Sequence, residues 1–484
     1  MNRFSALLVV VVIAITMSAF AQTTVAPETA KHYKLGVDQF RAGNLEAAAT
    51  EFKASLTATP DDALTLNWLG YVCMKQSKPA EAIPYLEKAV SIRQDMPEAL
   101  NNLGNAYNAT GRTKDAIAAY EKSIASNPDA GITHFNLANI YITQDRVDDA
   151  ISEYIKAEKL LPANTSIKGN LGYAYFTKSD WVNSEAAYTR AAAIAPDDIN
   201  ILVNLGIAQM RHGEMTKAAG NLEKAVAKDT ANYAAIIALG EAYSALNMTD
   251  KATAQFKAAS DLKPVEYAPH FNLAILYGRQ GNFDAAIEQS NIALAAKPDD
   301  VNIINNLGWI YYKQQKIDEA QAQFEKAVGL DKNLILAHIN LAVIYESKGM
   351  NKKAEAEWLE VQRIDPKNTT APVSLGNLLL KDNKLDEATA QYKKQLAVEP
   401  TNIYALNGMG LVSEKIGKFD EAIAFYIKAL AADSNFAMAY NNMGVAYEKK
   451  GNRTKAISSY KKALQIDPNY ADAKNNLERL VPAK

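Results

Sequence analysis

The sequence predicts an all-α fold, a solenoid of tandem helical hairpins preceded by a separate leader. Three observations predict it. A period of 34 residues runs through nearly the whole chain. Within each period, apolar residues recur at helical spacing. Turn-forming and helix-ending residues fall at fixed places between them.

The leader comes first. Met1-Asn2-Arg3 supplies a short positive start, Ala6 to Met17 is an apolar run, and Ala19-Phe20-Ala21 is a small-x-small cleavage site. This order is that of a secretory signal peptide, expected over residues 1–21. The run is shorter than the ~20 residues a spanning helix needs. An uncleaved anchor in the inner membrane is the alternative. Cys73 is the only cysteine, so no intramolecular disulfide can form, and no cysteine follows the apolar run to carry a lipid. The expected location is outside the inner membrane, the periplasm for a bacterial chain. Residues 22–28 read as a polar lead-in.

Composition narrows the classes. Hydrophobic residues make up 48% and charged residues 22%, with a net charge of -2. Acids and bases are interleaved, which gives neither the basic stripe of a nucleic-acid binder nor a polybasic patch for anionic lipid. Every apolar stretch after the leader is broken by charge, so no membrane span is expected once the signal is removed.

The repeats follow. Leu-Gly or a close variant returns every 34 residues, from Leu35-Gly36 through Leu69-Gly70, Leu103-Gly104 and Leu137-Ala138 to Met443-Gly444. Thirteen repeats fill residues 29–470. We number each so that this Gly or Ala is position 8. Positions 4, 7, 8 and 11 then form one face of a first helix, with tyrosine frequent at 11 (Tyr107, Tyr141, Tyr345). Positions 20, 24, 27 and 28 form one face of a second helix, with alanine at 20 (Ala48, Ala116) and an aromatic ring common at 24 (Phe52, Tyr120, Trp358, Tyr426). Glycine at 15, as in Gly111 and Gly417, suits a left-handed helix end. Acids at 18 favour the positive start of the second helix. Proline at 32 ends it. Residues 471–484 continue the pattern as a capping helix and tail.

This pattern resembles the tetratricopeptide repeat (TPR) family over residues 29–470. The resemblance implies a right-handed superhelix whose first helices line a concave groove. It also implies a non-enzymatic scaffold for protein or peptide partners, with no cofactor. Positions 2, 5, 6, 9 and 13 lie roughly 150° from the packed face. Position 6 is asparagine at Asn102, Asn136, Asn170, Asn204, Asn272, Asn306, Asn340 and Asn442. Asparagine costs roughly 0.5 kcal/mol relative to alanine inside a helix. An amide row could hydrogen-bond an extended backbone. In this it resembles the superhelical TPR domain of O-linked N-acetylglucosamine transferases, through tracts such as Asn101-Asn102-Leu103-Gly104-Asn105-Ala106-Tyr107. The row fits equally well a ladder inherited by duplication that bonds only neighbouring side chains and water. Position 5 turns apolar in the middle of the chain, at Phe135, Val203, Ile237, Phe271, Ile339 and Val373. Tyr173 and Trp309 share that face. Phe135, Ile237, Phe271 and Trp309 join the asparagines as the candidate groove; the alternative is that adjacent repeats cover most of these apolar side chains. No repeat has lysine at 5 or arginine at 6, so the family's clamp for chaperone tails is not expected.

No catalytic or metal site is expected. His32, His134, His270 and His338 all fall at packing position 4, in separate repeats, where zinc would need converging ligands. Cys73 is expected to be buried. Phosphate-loop, G-x-S-x-G and H-E-x-x-H patterns are missing. The repeats leave no room for the catalytic domain that follows the repeats in the transferase. The leading expectation is therefore an exported scaffold binding an extended segment or protein partner, in envelope assembly, secretion or polysaccharide export. The rival is a structural protein that self-assembles into a homo-oligomer through its solenoid surfaces.

Overall fold

The computed structural model describes residues 27–481. Among them every regular element is an α-helix, twenty-seven from Pro27–Arg41 to Ala471–Leu480. The expected signal peptide, residues 1–21, lies outside the described residues, as does most of the lead-in. The lead-in is shorter than its composition suggests. Pro27 and Glu28 already belong to the first helix, because proline's fixed φ suits a helix's opening position.

A typical repeat has its first helix at positions 1–13 and its second at 17–30, as in Pro97–Ala109 and Thr113–Ser126. The turn between them closes by backbone bonds: Gly111 N–H donates to Asn108 O at 3.1 Å and Arg112 N–H to Tyr107 O at 2.8 Å. This double closure needs a left-handed residue at position 15. Glycine meets it at seven repeats, for example Gly111 at φ 78°. The other six use Ser77, Asp145, Ser179, Asn247, Gln315 and Asn383, all between φ 57° and 62°. Repeat 11 departs from the pattern: its first helix opens late, at Ala371–Lys381. Pro372 has no N–H with which to close the first turn onto Asn368. The Asn368 side chain instead accepts from Thr370 N–H at 3.0 Å and Ala371 N–H at 2.9 Å.

The core repeats with the sequence. Position 20 alanines and position 24 rings are buried, as at Ala116 with Tyr120 and Ala422 with Tyr426. The small residue at 8 makes room for the ring. A Cβ on Gly104 would stand 2.5 Å from Tyr120 Cε1, well inside contact distance.

The chain divides into two compact units, residues 1–246 and 247–484, the boundary falling between the two helices of repeat 7. In the N-terminal unit the first helices of repeats 2 and 3 touch, as do those of 4 and 5 and of 6 and 7. In the C-terminal unit first helices touch likewise, those of repeats 8 to 10 in succession, 11 to 13 in succession, and 13 with the capping helix. Among the described residues no two second helices approach as closely. Each unit therefore bends with its first helices on the inner side.

Candidate functional site

Position 6 points along this inner side toward the preceding repeat, and most of its amides are already paired there. Asn102 Nδ2 donates to Asn67 Oδ1 at 2.9 Å. Asn136 Nδ2 donates to Asn101 Oδ1 at 3.0 Å and Asn105 Oδ1 at 3.2 Å. Asn170 Nδ2 reaches Asn139 Oδ1 at 2.9 Å. The C-terminal unit repeats the arrangement: Asn340 to Asn305 at 3.1 Å, Asn442 to Asn407 at 3.0 Å, and Asn476 to Asn441 at 3.0 Å. The acceptor always sits at position 5 or 9 of the repeat before. Asn105 and Asn139 also accept from Tyr120 and Tyr154 hydroxyls, both at 2.6 Å. The amides thus tie repeat to repeat and tie the inner face to the ring core beneath it.

The pairing rule fails where the preceding repeat offers no amide. Asn204 faces Gly169 and Tyr173 at those positions, and Asn306 faces Phe271 and Ile275. Asn306 Nδ2 is buried without a partner. These two, with half-buried Asn272, are the candidate asparagines that the ladder does not pair.

The apolar candidates are largely covered. Phe135, Ile237, Phe271 and Trp309 are half-buried and Val203 is buried. Phe135 packs 6.0 Å from the ring of Tyr154. Tyr173 is exposed. More accessible apolar side chains stand elsewhere on the same face, at positions 2 and 9 of the C-terminal unit: Leu336 (62% exposed), Tyr404 (55%), Met438 (42%) and Val343 (38%). Helical spacing places position 2 on this face, but its residues were not among the candidates. Its signal was a run of apolar residues at a helix's first turn, where periodicity is weakest.

His134, His270, His338 and Cys73 belong to the packing. His338 Nδ1 lies 2.6 Å from Glu357 Oε2, and its Nε2 lies 3.2 Å from the Lys332 carbonyl. His134 makes the same pair of contacts with Glu153 and the Pro128 carbonyl, and His270 with Gln289 and the Pro264 carbonyl. Each such imidazole fastens a repeat to the turn before it. The bond to Glu357 raises the pKa of His338. Cys73 is buried, which pushes its thiol pKa up. Among the described residues no three His, Cys, Asp or Glu side chains gather to hold a metal ion. No helix there is long and apolar enough to cross a membrane.

Tetratricopeptide repeat models match residues 437–470, 61–129, 267–333, 101–165, 135–199 and 305–369, and a TPR repeat model matches 415–451. No curated protein gives a significant match. Several solved structures are similar. PilF of Pseudomonas aeruginosa is 19% identical over 44% of this chain and 96% of its own, with a TM-score of 0.39. YrrB, described as a TPR protein with an unusual peptide-binding site, is 24% identical over 39% and 97%, with a TM-score of 0.33. Yeast Tom70 is 18% identical over 93% and 94%, with a TM-score of 0.38. The family matches span more than half of the sequence, and the chain belongs to the tetratricopeptide repeat family.

Proposed function

We propose that this repeat protein is a non-enzymatic scaffold whose first-helix face holds an extended segment of a protein partner. One observation carries the reading. Leu336, Val343, Tyr404 and Met438 stand exposed on the inner side of repeats 10, 12 and 13; Tyr404 also meets Phe436 edge-on at 5.4 Å, and Met438 Sδ accepts from Asn407 at 3.7 Å, which leaves Leu336 and Val343 the freest of the four. Neighbouring exposed apolar side chains on one face mark a partner surface. The unpaired amide of Asn306, in the same unit, would add a hydrogen bond to the partner's backbone, in the manner the transferase resemblance implies.

The leader sets the context. Residues 1–21 have the order of an export signal, and an exported scaffold would serve envelope assembly, secretion or polysaccharide export. N-terminal sequencing of the purified protein tests the location: a chain beginning at Gln22 supports export with cleavage, and a chain retaining Met1 removes it.

A photo-crosslinking residue at Leu336, with a control at Lys257 on an outer second helix, tests the binding face. A distinct envelope protein captured from Leu336 alone supports the scaffold. Capture only from Lys257 overturns the inner-face reading.

A second reading has its own support. Ile155, Leu359 and Ile427 are exposed on second helices, which suits association of copies through the outer face. Light scattering across concentration decides: a strict monomer removes self-assembly.

A further inference from the structure

The inner face of the C-terminal unit is one-sided in charge. In repeats 8 to 13, positions 2, 5, 6, 9 and 13 carry no aspartate or glutamate, although the whole chain is slightly acidic. Position 13, at the last turn of each first helix, is basic in all but repeat 10. Lys313, Lys381, Lys415 and Lys449 are all exposed.

These lysines take part in none of the ion pairs of this unit, among them Lys348–Asp318, Lys384–Glu355, Lys450–Asp420 and Arg479–Glu448. Among the described residues no carboxylate comes within ion-pair distance of the four. Lys313 instead sits 5.4 Å from the ring centroid of Trp309, and Lys415 donates to the Leu380 carbonyl at 3.1 Å. The neighbouring carboxylates at position 12 are turned toward the second helices. Glu346 accepts from Trp358 Nε1 at 2.6 Å, Glu414 from the Tyr426 hydroxyl at 3.2 Å, and Glu448 from the Tyr460 hydroxyl at 3.0 Å.

A lysine at a helix's last turn complements the negative end of the helix dipole. The fold does not require it here. First helices of the same length end in Ala109, Thr143, Thr177 and Ala245 in the N-terminal unit. Apolar side chains lie one turn before the lysines, at Trp309, Leu411 and Val445. An apolar stripe edged by unpaired cations is complementary to a segment that carries both apolar and acidic side chains.

We infer that the C-terminal unit's inner face selects an extended polypeptide segment of alternating acidic and apolar residues. Its carboxylates meet Lys313, Lys381, Lys415 and Lys449, and its apolar side chains lie against Trp309, Leu336, Val343 and Tyr404. The inference rests on the scaffold reading above and adds the chemistry of the partner.

Fluorescein-labelled synthetic peptides test it by anisotropy with the full chain. One alternates aspartate and leucine, a second asparagine and leucine, a third lysine and leucine, and an oligothymidylate serves as a polyanion control. The aspartate peptide is expected to bind about tenfold tighter than the asparagine peptide at low salt, an advantage that shrinks as salt screens exposed charge. The triple variant K381E/K415E/K449E removes that advantage and leaves asparagine-peptide binding unchanged. The matched triple K34E/R41E/K75E in the N-terminal unit leaves both unchanged, and circular dichroism checks that both variants fold. Equal binding of the aspartate and asparagine peptides overturns the inference and leaves the scaffold standing. An advantage that survives the C-terminal reversal overturns it, and so does tighter binding of the lysine peptide or the oligothymidylate. Failure of every peptide to bind overturns the inference and the scaffold reading together.

Discussion

Replacing asparagine by alanine at position 6 has opposite consequences in two repeats that look alike in sequence. In Asn136→Ala the lost amide donates to Asn101 Oδ1 at 3.0 Å and Asn105 Oδ1 at 3.2 Å. A neutral hydrogen bond contributes about 1 kcal/mol net. Asn105 keeps the Tyr120 hydroxyl at 2.6 Å, whereas buried Asn101 loses an acceptor contact that water cannot replace. Alanine returns roughly 0.5 kcal/mol of helix propensity. The balance is a loss of about 1–2 kcal/mol at the junction of repeats 3 and 4. In Asn204→Ala the preceding repeat offers Gly169 and Tyr173, so the propensity term dominates and the change is between zero and about 0.5 kcal/mol stabilising. A repeat array does not unfold in two states. The assay is therefore amide hydrogen exchange of the helices Pro97–Ala109 and Gly131–Thr143, or Thr165–Thr177 and Ile199–Arg211, read by mass spectrometry. A loss of 1.4 kcal/mol speeds local opening about tenfold. Equal acceleration in both variants, or a larger effect at Asn204, would refute the assignment of the paired amides to repeat stacking.

Gly410→Ala puts a Cβ 2.3 Å from Tyr426 Cε1 and should cost about 1–3 kcal/mol by overpacking, while Gly417→Ala meets nothing within 4 Å but a φ of +78° and should cost about 1 kcal/mol; amide hydrogen exchange of the affected repeat compares the two. Gln315→Gly relieves a left-handed backbone at φ 62° and should stabilise repeat 9 by about 0.5 kcal/mol in the same assay. His338 has a raised folded pKa because Glu357 bonds its Nδ1. Its contribution is complete below the unfolded value of about 6.5 and is lost as pH rises through the folded value. Urea midpoints above about pH 6.5 should fall more steeply with pH for the native chain than for His338→Gln, and identical slopes would remove His338 as the source.

The repeats were readable because each position has one physical job. A small residue at 8 and a ring at 24 solve a single packing problem, as Gly104 and Tyr120 do, so the register can be counted without coordinates. The left-handed turn was half legible. Glycine announces it at Gly111, but Asp145 and Gln315 adopt the same φ without announcing it, because two backbone bonds across the turn hold them there. The groove was less legible still. Amphipathic spacing puts Asn102, Asn204 and Asn306 on the same face, yet whether each amide is paired depends on the residue 31 or 35 positions earlier. That relation becomes visible only once neighbouring first helices are placed side by side. The spacing of Phe135 and Val203 fits both an open apolar stripe and side chains covered by their neighbours; Phe135 is half-buried against the Tyr154 ring and Val203 is buried.

Position 6 thus reconciles two explanations of the amide row that a sequence presents as rivals. An asparagine that finds another asparagine at position 5 or 9 of the preceding repeat is structural: its donor is used, and removing it loosens a junction. An asparagine that finds glycine or an apolar residue there keeps the propensity cost and gains no stacking bond. Asn204 and Asn306 are of this second kind, and Asn306 carries a buried Nδ2 without a partner. A buried donor left without an acceptor costs on the order of 1–3 kcal/mol, so a small outward rotation that exchanges burial for a bond to a partner's carbonyl is favoured on binding. Selection for stability alone would replace these two residues before any other in the row. Each stands within its own unit near an apolar side chain of the preceding repeat, Tyr173 or Phe271, while the paired asparagines hold neighbouring first helices in register.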